Sequence, residues 1–490
     1  MIDRKKAREY QFIPRVINPV KLRRAALFAA DTRLRQSQNV LKESLPWLEI
    51  EVLSDPASVL QVSSDQPTVF LFDDTALGML DAEAIRRRNQ NAVLVLLTFQ
   101  TFVQRSPRQL AGQKYPYTAG ADLVFAVGRE EFAPGSIIPY VVRAAEDLLN
   151  IEKFSRAPRF IFHVVDDEPR WVSQFLPVLY GIIGQRADVK ITRTYEESLE
   201  FLFGVADEDG IDPSWYHLQG HGDDVVCLIA DIFFPRGDEL QSQAGLDLIR
   251  LVKTYYPRIP VIIASKAKEA LEFKDLGFIL PKGDPGSLQQ LRDNILSLTG
   301  LGDFLVYGEN GRELRRAKDI QGIYRILVEA EAETAAGREL RGILETYGEK
   351  DKFSTWLYMH SYRELGDRLR PRRGHGHQLI TLLKRHLRLE IARIERMPLI
   401  IDGRKIFTLQ DLQASLQTLA AEKIQPYSDD DIFSSWLDRK GYSELAEEFR
   451  PIHGSGPGLS QTLTEIVARW IKVYEERAVN SAPKKTPQIS

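Results

Sequence analysis

Cysteine is almost absent from this chain: Cys227 is the single one among 490 residues, so no disulfide can close within it. That cysteine begins a short apolar run, where it reads as a packing residue. No stretch stays apolar for the roughly 20 residues that a membrane helix requires, and Met1-Ile2-Asp3-Arg4-Lys5-Lys6 lacks the apolar run of a secretion signal. An excess of one charge is missing as well. The 65 Lys and Arg stand against 68 Asp and Glu, a net charge of -3, which draws the whole molecule neither to nucleic acid nor to an anionic membrane. No glycine-rich phosphate loop follows the early strands, and neither zinc-finger spacing nor a helix-turn-helix is evident. What remains is a composition of 43% hydrophobic and 27% charged residues, that of a globular protein, in a chain long enough for three or four cores. A reducing cytoplasm is the expected setting.

Residues 160 to 300 carry the clearest pattern. Four apolar runs end in polar residues: Phe162 to Val165 before Asp166-Asp167-Glu168, Cys227 to Ala230 before Asp231, Val261 to Ala264 before Ser265, and Phe278 to Pro281 before Lys282. Short, β-branched and uninterrupted, they read as strands buried on both faces of a parallel sheet. Helical patterns alternate with them, as from Leu246 to Tyr255. The prediction is a doubly wound α/β domain with its site at the carboxyl ends of the strands. Clustered carboxylates repel one another unless a cation joins them, and an oxygen-only set suits Mg2+. A lysine and a hydroxyl opposite them would hold phosphoryl oxygens. These parts fit phosphoryl transfer onto a carboxylate.

The acidic pair, the Asp231-Ile232-Phe233-Phe234-Pro235 element, the serine and the lysine, in that order and at those strand ends, resemble the receiver domain of response regulators. The resemblance implies that Asp231 is the phosphoacceptor and that Asp166, Asp167, Asp231 and the carbonyl of Phe233 bind Mg2+. It also implies that Ser265 is the switch hydroxyl and that Lys282 contacts the phosphoryl group. Several features depart from the family. The span from Asp166 to Asp231 is long, with the excess in the polar stretch Gly204 to Asp224, and a second insertion runs from Arg236 to Ala244. The span from Ser265 to Lys282 is short, which predicts a truncated helix and a remodelled output face. The family's aromatic switch position is Ile279 here, beside Phe278.

Residues 23 to 152 repeat the alternation, with strand-like runs at Ala25 to Ala30, Leu48 to Leu53, Val69 to Phe72, Ala92 to Leu97 and Leu123 to Val127. The order resembles a receiver, but the site is reduced. Asp31, Asp73, Asp74 and Thr98 are present, whereas Gly128 and Arg129 stand where the lysine would be. Asp73 could still accept a phosphoryl group, but the charges that speed the reaction are lost. A degenerate receiver that docks or dimerises is expected, with a plain Rossmann-like domain as the other reading.

The C-terminal third is duplicated at an offset of 80 residues (433 minus 353): Phe353, Ser354, Trp356, Leu357, Tyr362, Glu364, Leu365 and Arg370-Pro371 match Phe433, Ser434, Trp436, Leu437, Tyr442, Glu444, Leu445 and Arg450-Pro451. Tyr347 and Tyr427 share the offset, and Asn310-Gly311-Arg312 and Asp402-Gly403-Arg404 mark the unit starts. Each unit reads as short amphipathic helices around an aromatic core, with a cap-like serine and a helix stop at Arg-Pro. The Phe-Ser-x-Trp-Leu segment is similar to a small helical region beside receiver-like segments in some bacterial multidomain proteins, and it brings no catalytic residue with it. His375 and His377 have no partners spaced for a metal, and Arg368, Arg370, Arg372 and Arg373 read as a solvated turn.

The resulting expectation is an α/β protein: two doubly wound five-stranded parallel-sheet, flavodoxin-like receiver domains followed by an all-α duplicated helical module. The divisions are a 1–22 extension, a 23–152 degenerate receiver, a 158–300 phosphoacceptor receiver, helical repeats at 301–396 and 397–478, and a disordered 479–490 tail. The expected function is that of a response-regulator-like signalling protein, not an enzyme. A histidine kinase or phosphotransfer protein would phosphorylate it, and the repeats would bind an output protein, with a homodimer possible and no part for membrane or nucleic acid. One alternative is an unphosphorylated scaffold or adaptor, against which the intact acidic set and Lys282 argue. The other is an effector whose repeats bind nucleic acid or a ligand.

Overall fold

The protein is seen in a computed structural model that describes residues 20–481, apart from 21, 30–31, 46–47, 63–65, 77–78, 101–119, 129–132, 154–159, 185, 238, 242, 258, 267–271, 309–311, 350–351, 361, 370–375, 431, 451 and 453–455. Residues 1–19 of the expected extension, Asp31, Arg129, Asn310-Gly311, Arg370-Pro371, Arg372, Arg373, His375, Pro451 and residues 482–490 of the expected 479–490 tail lie outside the described residues, while 479–481 belong to the last helix.

The first domain holds β1 (Arg24–Phe28), α1 (Thr32–Ser44), β2 (Glu49–Val52), α2 (Pro56–Gln61), β3 (Thr68–Asp73), α3 (Ala82–Arg88), β4 (Ala92–Thr98), β5 (Leu123–Ala126) and α4 (Pro134–Lys153). The second holds β6 (Ile161–Val165), α5 (Pro169–Ile183), β7 (Asp188–Thr192), α6 (Tyr195–Phe203), α7 (Tyr216–Gln219), β8 (Val225–Ala230), β9 (Phe234–Arg236), β10 (Glu239–Gln241), α8 (Ala244–Tyr255), β11 (Val261–Ser265), β12 (Phe278–Pro281) and α9 (Ser287–Thr299). The main sheets run β2-β1-β3-β4-β5 and β7-β6-β8-β11-β12, parallel throughout. Counted within each domain, both orders are 2-1-3-4-5, the flavodoxin-like arrangement with its crevice where the winding reverses. The uninterrupted apolar runs are the central strands: every residue of β3, β6 and β11 is buried. The Arg236 to Ala244 insertion is a β-hairpin of β9 and β10. The Gly204 to Asp224 stretch is more ordered than a polar loop, since it contains α7 and exposes Trp215 and Leu218. Between β11 and β12 the described residues contain no α-helix.

The two α/β domains are locked together at their sheet edges. The backbone N–H of Ala126 in edge strand β5 donates to Ser173 Oγ on α5, 2.8 Å away. In return, the N–H of Val189 in edge strand β7 donates to Asp147 Oδ2 on α4, also at 2.8 Å. Each domain thus satisfies an edge amide of the other, which removes two pairing hazards at once. Asp147 is fully buried; it accepts a further bond from Tyr180 Oη at 2.8 Å and lies 2.9 Å from Arg143 Nε. Arg143 also reaches Asp188 at 3.7 Å. A single apolar core runs through both domains, from Val20 and Leu149 to Phe162, Leu291 and Ile295.

The C-terminal region is helical, but it is not all-α. The first unit opens with a hairpin of β13 (Phe304–Tyr307) and β14 (Glu313–Ala317), followed by α10 (Ile320–Ala330), α11 (Ala335–Glu349), α12 (Lys352–Met359), α13 (Arg363–Leu369) and α14 (Gly376–Arg396). The second repeats that order with β15 (Leu399–Ile401), β16 (Arg404–Ile406), α15 (Leu409–Thr418), α16 (Ala421–Asp429), α17 (Ile432–Arg439), α18 (Ser443–Phe449) and α19 (Pro457–Ser481). The Asp402-Gly403 motif is the turn of its hairpin, with φ of 48° and 77°, the left-handed pair that Asp-Gly turns supply. The helices are not all short: α14 has 21 residues and α19 has 25. Ser354 and Ser434 are not caps, because both lie buried inside α12 and α17. Each unit has its own core around Trp356 or Trp436.

Removing the Asp147 carboxylate leaves Arg143, Tyr180 and the Val189 amide facing a buried gap. Asp147→Ala is therefore expected to cost about 3–5 kcal/mol, and Ser173→Ala about 1–3 kcal/mol, measured by urea unfolding of the full chain.

Candidate functional site

The carboxyl ends of β6, β8, β11 and β12 bring the predicted residues to one place. Ladder bonds fix their depth: Asp166 N donates to Thr192 O at 3.1 Å, Asp231 N to Val165 O at 3.0 Å and Lys282 N to Ser265 O at 3.0 Å. Lys282 then extends its ammonium between two acids, with Nζ 2.5 Å from Asp166 Oδ2 and 2.5 Å from Asp231 Oδ2. Asp231 Oδ1 accepts the N–H of Ile232 at 2.6 Å. Asp167 and Ser265 are buried at the same edge, Ser265 as the last residue of β11. Phe233 lies two residues beyond Asp231, before β9, with its side chain partly exposed.

Burial raises the Asp166 carboxyl to about 7, with Lys282 opposing and the Asp231 charge adding to the rise. Burial likewise carries Asp167 to about 7, reinforced by Asp231 and Glu168. Burial also works against the Lys282 charge, but Asp166 and Asp231 outweigh it and raise its pKa. Three carboxylates thus compete for one ammonium. Hard oxygen donors that repel one another suit Mg2+. The side chains as placed do not yet form its cage: among the described residues no three acidic, histidine or cysteine groups converge closely enough to hold a metal. Lys282 instead bridges Asp166 and Asp231.

Other residues at the mouth were not singled out from the sequence. Glu168 N donates to Asp166 Oδ1 at 3.1 Å, and the Glu168 carboxylate takes Lys266 Nζ at 3.0 and 3.1 Å and Trp171 Nε1 at 3.0 Å. The Trp171 ring lies beneath three cations, with Arg170, Lys266 and Lys282 at 4.6, 5.0 and 5.6 Å from its centroid. The available signal was adjacency, since Lys266 follows Ser265 and Glu168 follows the acidic pair.

At the matching edge of the first domain, the described acids bond to their own turn and to the neighbouring strand end. Asp73 Oδ1 accepts from Thr75 Oγ1 at 2.5 Å, Thr75 N at 3.1 Å and Ala76 N at 3.2 Å. Asp74 Oδ2 accepts from Thr98 Oγ1 and Phe99 N, both at 3.0 Å. At Gly128, which stands where a lysine would be, φ is 100° and an added Cβ would lie 2.4 Å from the Phe99 ring. The Phe99 ring therefore leaves no room for a side chain at position 128.

In the helical units the conspicuous residues are structural. Phe353, Trp356, Tyr362, Phe433 and Trp436 are core residues. His360 stacks on Trp356 at 3.9 Å, while His377 pairs with Glu333 at 3.0 Å and Arg368 with Glu390 at 3.1 Å. A cleft of about 760 Å3 separates the second α/β domain from the first unit, lined by Tyr255, Tyr256, Tyr307, Tyr347 and Trp356. Three of its polar groups bond within the fold: Tyr307 N to Tyr347 Oη at 3.2 Å, Trp356 Nε1 to Gly302 O at 2.9 Å and Tyr256 Oη to Leu202 O at 3.2 Å.

No helix among the described residues is long and apolar enough to cross a membrane. No protein-family model matches the chain, and no curated protein matches it in sequence. Among solved structures it is similar to a two-component system response regulator/GGDEF domain protein, at 17% identity over 56% of this chain and 99% of that one, with a TM-score of 0.25. It is also similar to the E. coli RcsC C-terminus containing a linker region and phosphoreceiver domain, at 14% identity over 58% and 95%, with a TM-score of 0.20. A sugar binding protein from Salmonella typhimurium LT2 gives 12% identity over 56% and 88%, with a TM-score of 0.18. Likenesses this distant carry no argument, so the site rests on its own geometry.

The raised carboxyls have a measurable sign. With a folded pKa of about 7 against an ordinary 3.8, Asp167 keeps a proton on folding between those values, so its contribution to stability falls as pH rises from about 4 to about 7. Without metal at pH 8, Asp167→Asn is expected to stabilise the chain by about 2–3 kcal/mol. The gain should vanish near pH 4, as read from thermal melts in chelator.

Proposed function

We propose that this chain is a response-regulator-like signalling protein in which Asp231 accepts a phosphoryl group. The observation that carries the reading is the Lys282 ammonium held 2.5 Å from both Asp166 and Asp231, a buried cation where a transferred phosphoryl oxygen would need one. In transfer from acetyl phosphate, the bond from phosphorus to the donor's carboxyl oxygen breaks as the bond to an Asp231 carboxylate oxygen forms. Acetate leaves with the electron pair, and Asp231 becomes an acyl phosphate. Lys282 then holds one phosphoryl oxygen and the Ser265 hydroxyl donates to another. Asp166, Asp167, Asp231 and the carbonyl of Phe233 would hold Mg2+, which supplies charge neutralisation to the phosphoryl group.

In the cell, a histidine kinase or phosphotransfer protein would be the donor and the cytoplasm the setting. The first domain stays unphosphorylated on this reading and supports the second. The helical units provide output by binding a protein partner, with or without dimerisation, so the chain acts as a switch and not as an enzyme. Their attachment favours a relayed signal. Trp356 and His360 bond to Gly302 O, just beyond α9, and Arg186 reaches Glu447 of the second unit at 3.3 Å.

Incubation of the full chain with acetyl phosphate and Mg2+ should add one phosphoryl mass, absent in Asp231→Ala and without Mg2+. Lys282→Ala should slow labelling by roughly 100-fold or more. A native chain that stays unlabelled while a working receiver is labelled alongside would overturn the reading.

A further inference from the structure

We propose that Lys266 is a second phosphoryl-binding cation of this site, held on Glu168 until a phosphodonor enters. The proposal rests on Asp231 being the phosphoacceptor, and it adds a residue to which neither the strand-end pattern nor the resemblance gives a role.

Lys282 and Lys266 divide the work by their surroundings. The Lys282 side chain is 0% exposed and committed to two carboxylates. That of Lys266 is 51% exposed and, among the described residues, pairs with Glu168, with both carboxylate oxygens within 3.1 Å. The pair joins the two loops that carry the functional groups. Glu168 is tied to Asp166 through its own N–H, and Lys266 directly follows Ser265. The same Trp171 indole neighbours both ammonium groups, at 5.0 and 5.6 Å from its centroid, which brings Lys266 to the mouth of the site that Lys282 serves from within.

A phosphoryl dianion arriving at Asp231 repels the Glu168 carboxylate and attracts the Lys266 ammonium. The exchange leaves no orphaned group. Glu168 keeps the Trp171 Nε1–H, and Lys266, on a flexible four-carbon stem, trades a carboxylate for a phosphoryl oxygen. Glu168 therefore acts as a positioning residue that holds the cation at the mouth and keeps it from folding down onto Asp167 or Asp231.

Initial rates of acetyl phosphate labelling, followed by intact mass with Mg2+ at low salt, test this in the native chain, Lys266→Ala, Lys266→Arg and Glu168→Gln, with Asp231→Ala as control. At sub-saturating donor, Lys266→Ala should label about tenfold more slowly through a higher half-saturating concentration, while Lys266→Arg keeps most of the native rate. Glu168→Gln should label several-fold faster, and both differences should shrink at about 1 M salt. The proposal is overturned if Lys266→Ala labels at the native rate. It is equally overturned if Lys266→Ala and Glu168→Gln shift the rate in the same direction, which would make the pair a structural strap. No Asp231-dependent label in the native chain overturns the phosphoacceptor reading instead, and this one with it.

Discussion

A lysine ammonium buried between two carboxylates organises the second α/β domain. An unpaired charge in that position would be costly, so the ends of β6, β8 and β12 must all reach their places for Lys282, Asp166 and Asp231 to satisfy one another. With all three carboxylates ionised, one ammonium leaves the cluster under-neutralised: Asp166 and Asp167 are both pushed to about 7. Buried ion pairs contribute little net stability once desolvation is counted. A site that is satisfied but under-neutralised can still exchange partners when a further charged group arrives.

The two α/β domains show how differently one topology can use the residues at its strand ends. In the second, a lysine bridges the acids. In the first, Asp73 is consumed by the turn that follows it, and Phe99 takes the volume above Gly128. Fold and strand order are unaffected, because they depend on the apolar runs and not on the residues at their ends.

The parts legible in the sequence were those encoded by local pattern. Runs such as Val261 to Ala264 read as buried strands, and the polar residue ending each run falls at the sheet edge by the geometry of a parallel sheet, so Asp166, Asp231, Ser265 and Lys282 could be placed together. The 80-residue offset exposed the duplication. What escaped was either too short or too distant. Leu399–Ile401 and Arg404–Ile406 are three-residue strands, below the length at which alternation can be counted, although Asp402-Gly403 between them is a strong turn signal. Asp147 and Ser173 gave no local sign of their roles, because each completes the edge of a strand in the other domain. Glu168 and Lys266 meet across 98 residues, and no periodicity reports such a pairing.

The exchanged edge bonds bear on how this protein can be dissected. The junction near residue 155 divides two topologies, but cutting there would strip Val189 of its acceptor in one fragment and Ala126 in the other. It would also split an apolar core that both share. Each half would carry a bare strand edge flanked by greasy surface, the composition of an aggregation seed. Recombinant work, grafting or evolutionary shuffling should therefore keep the two α/β domains together, because each supplies the other's edge acceptor and half of a common core.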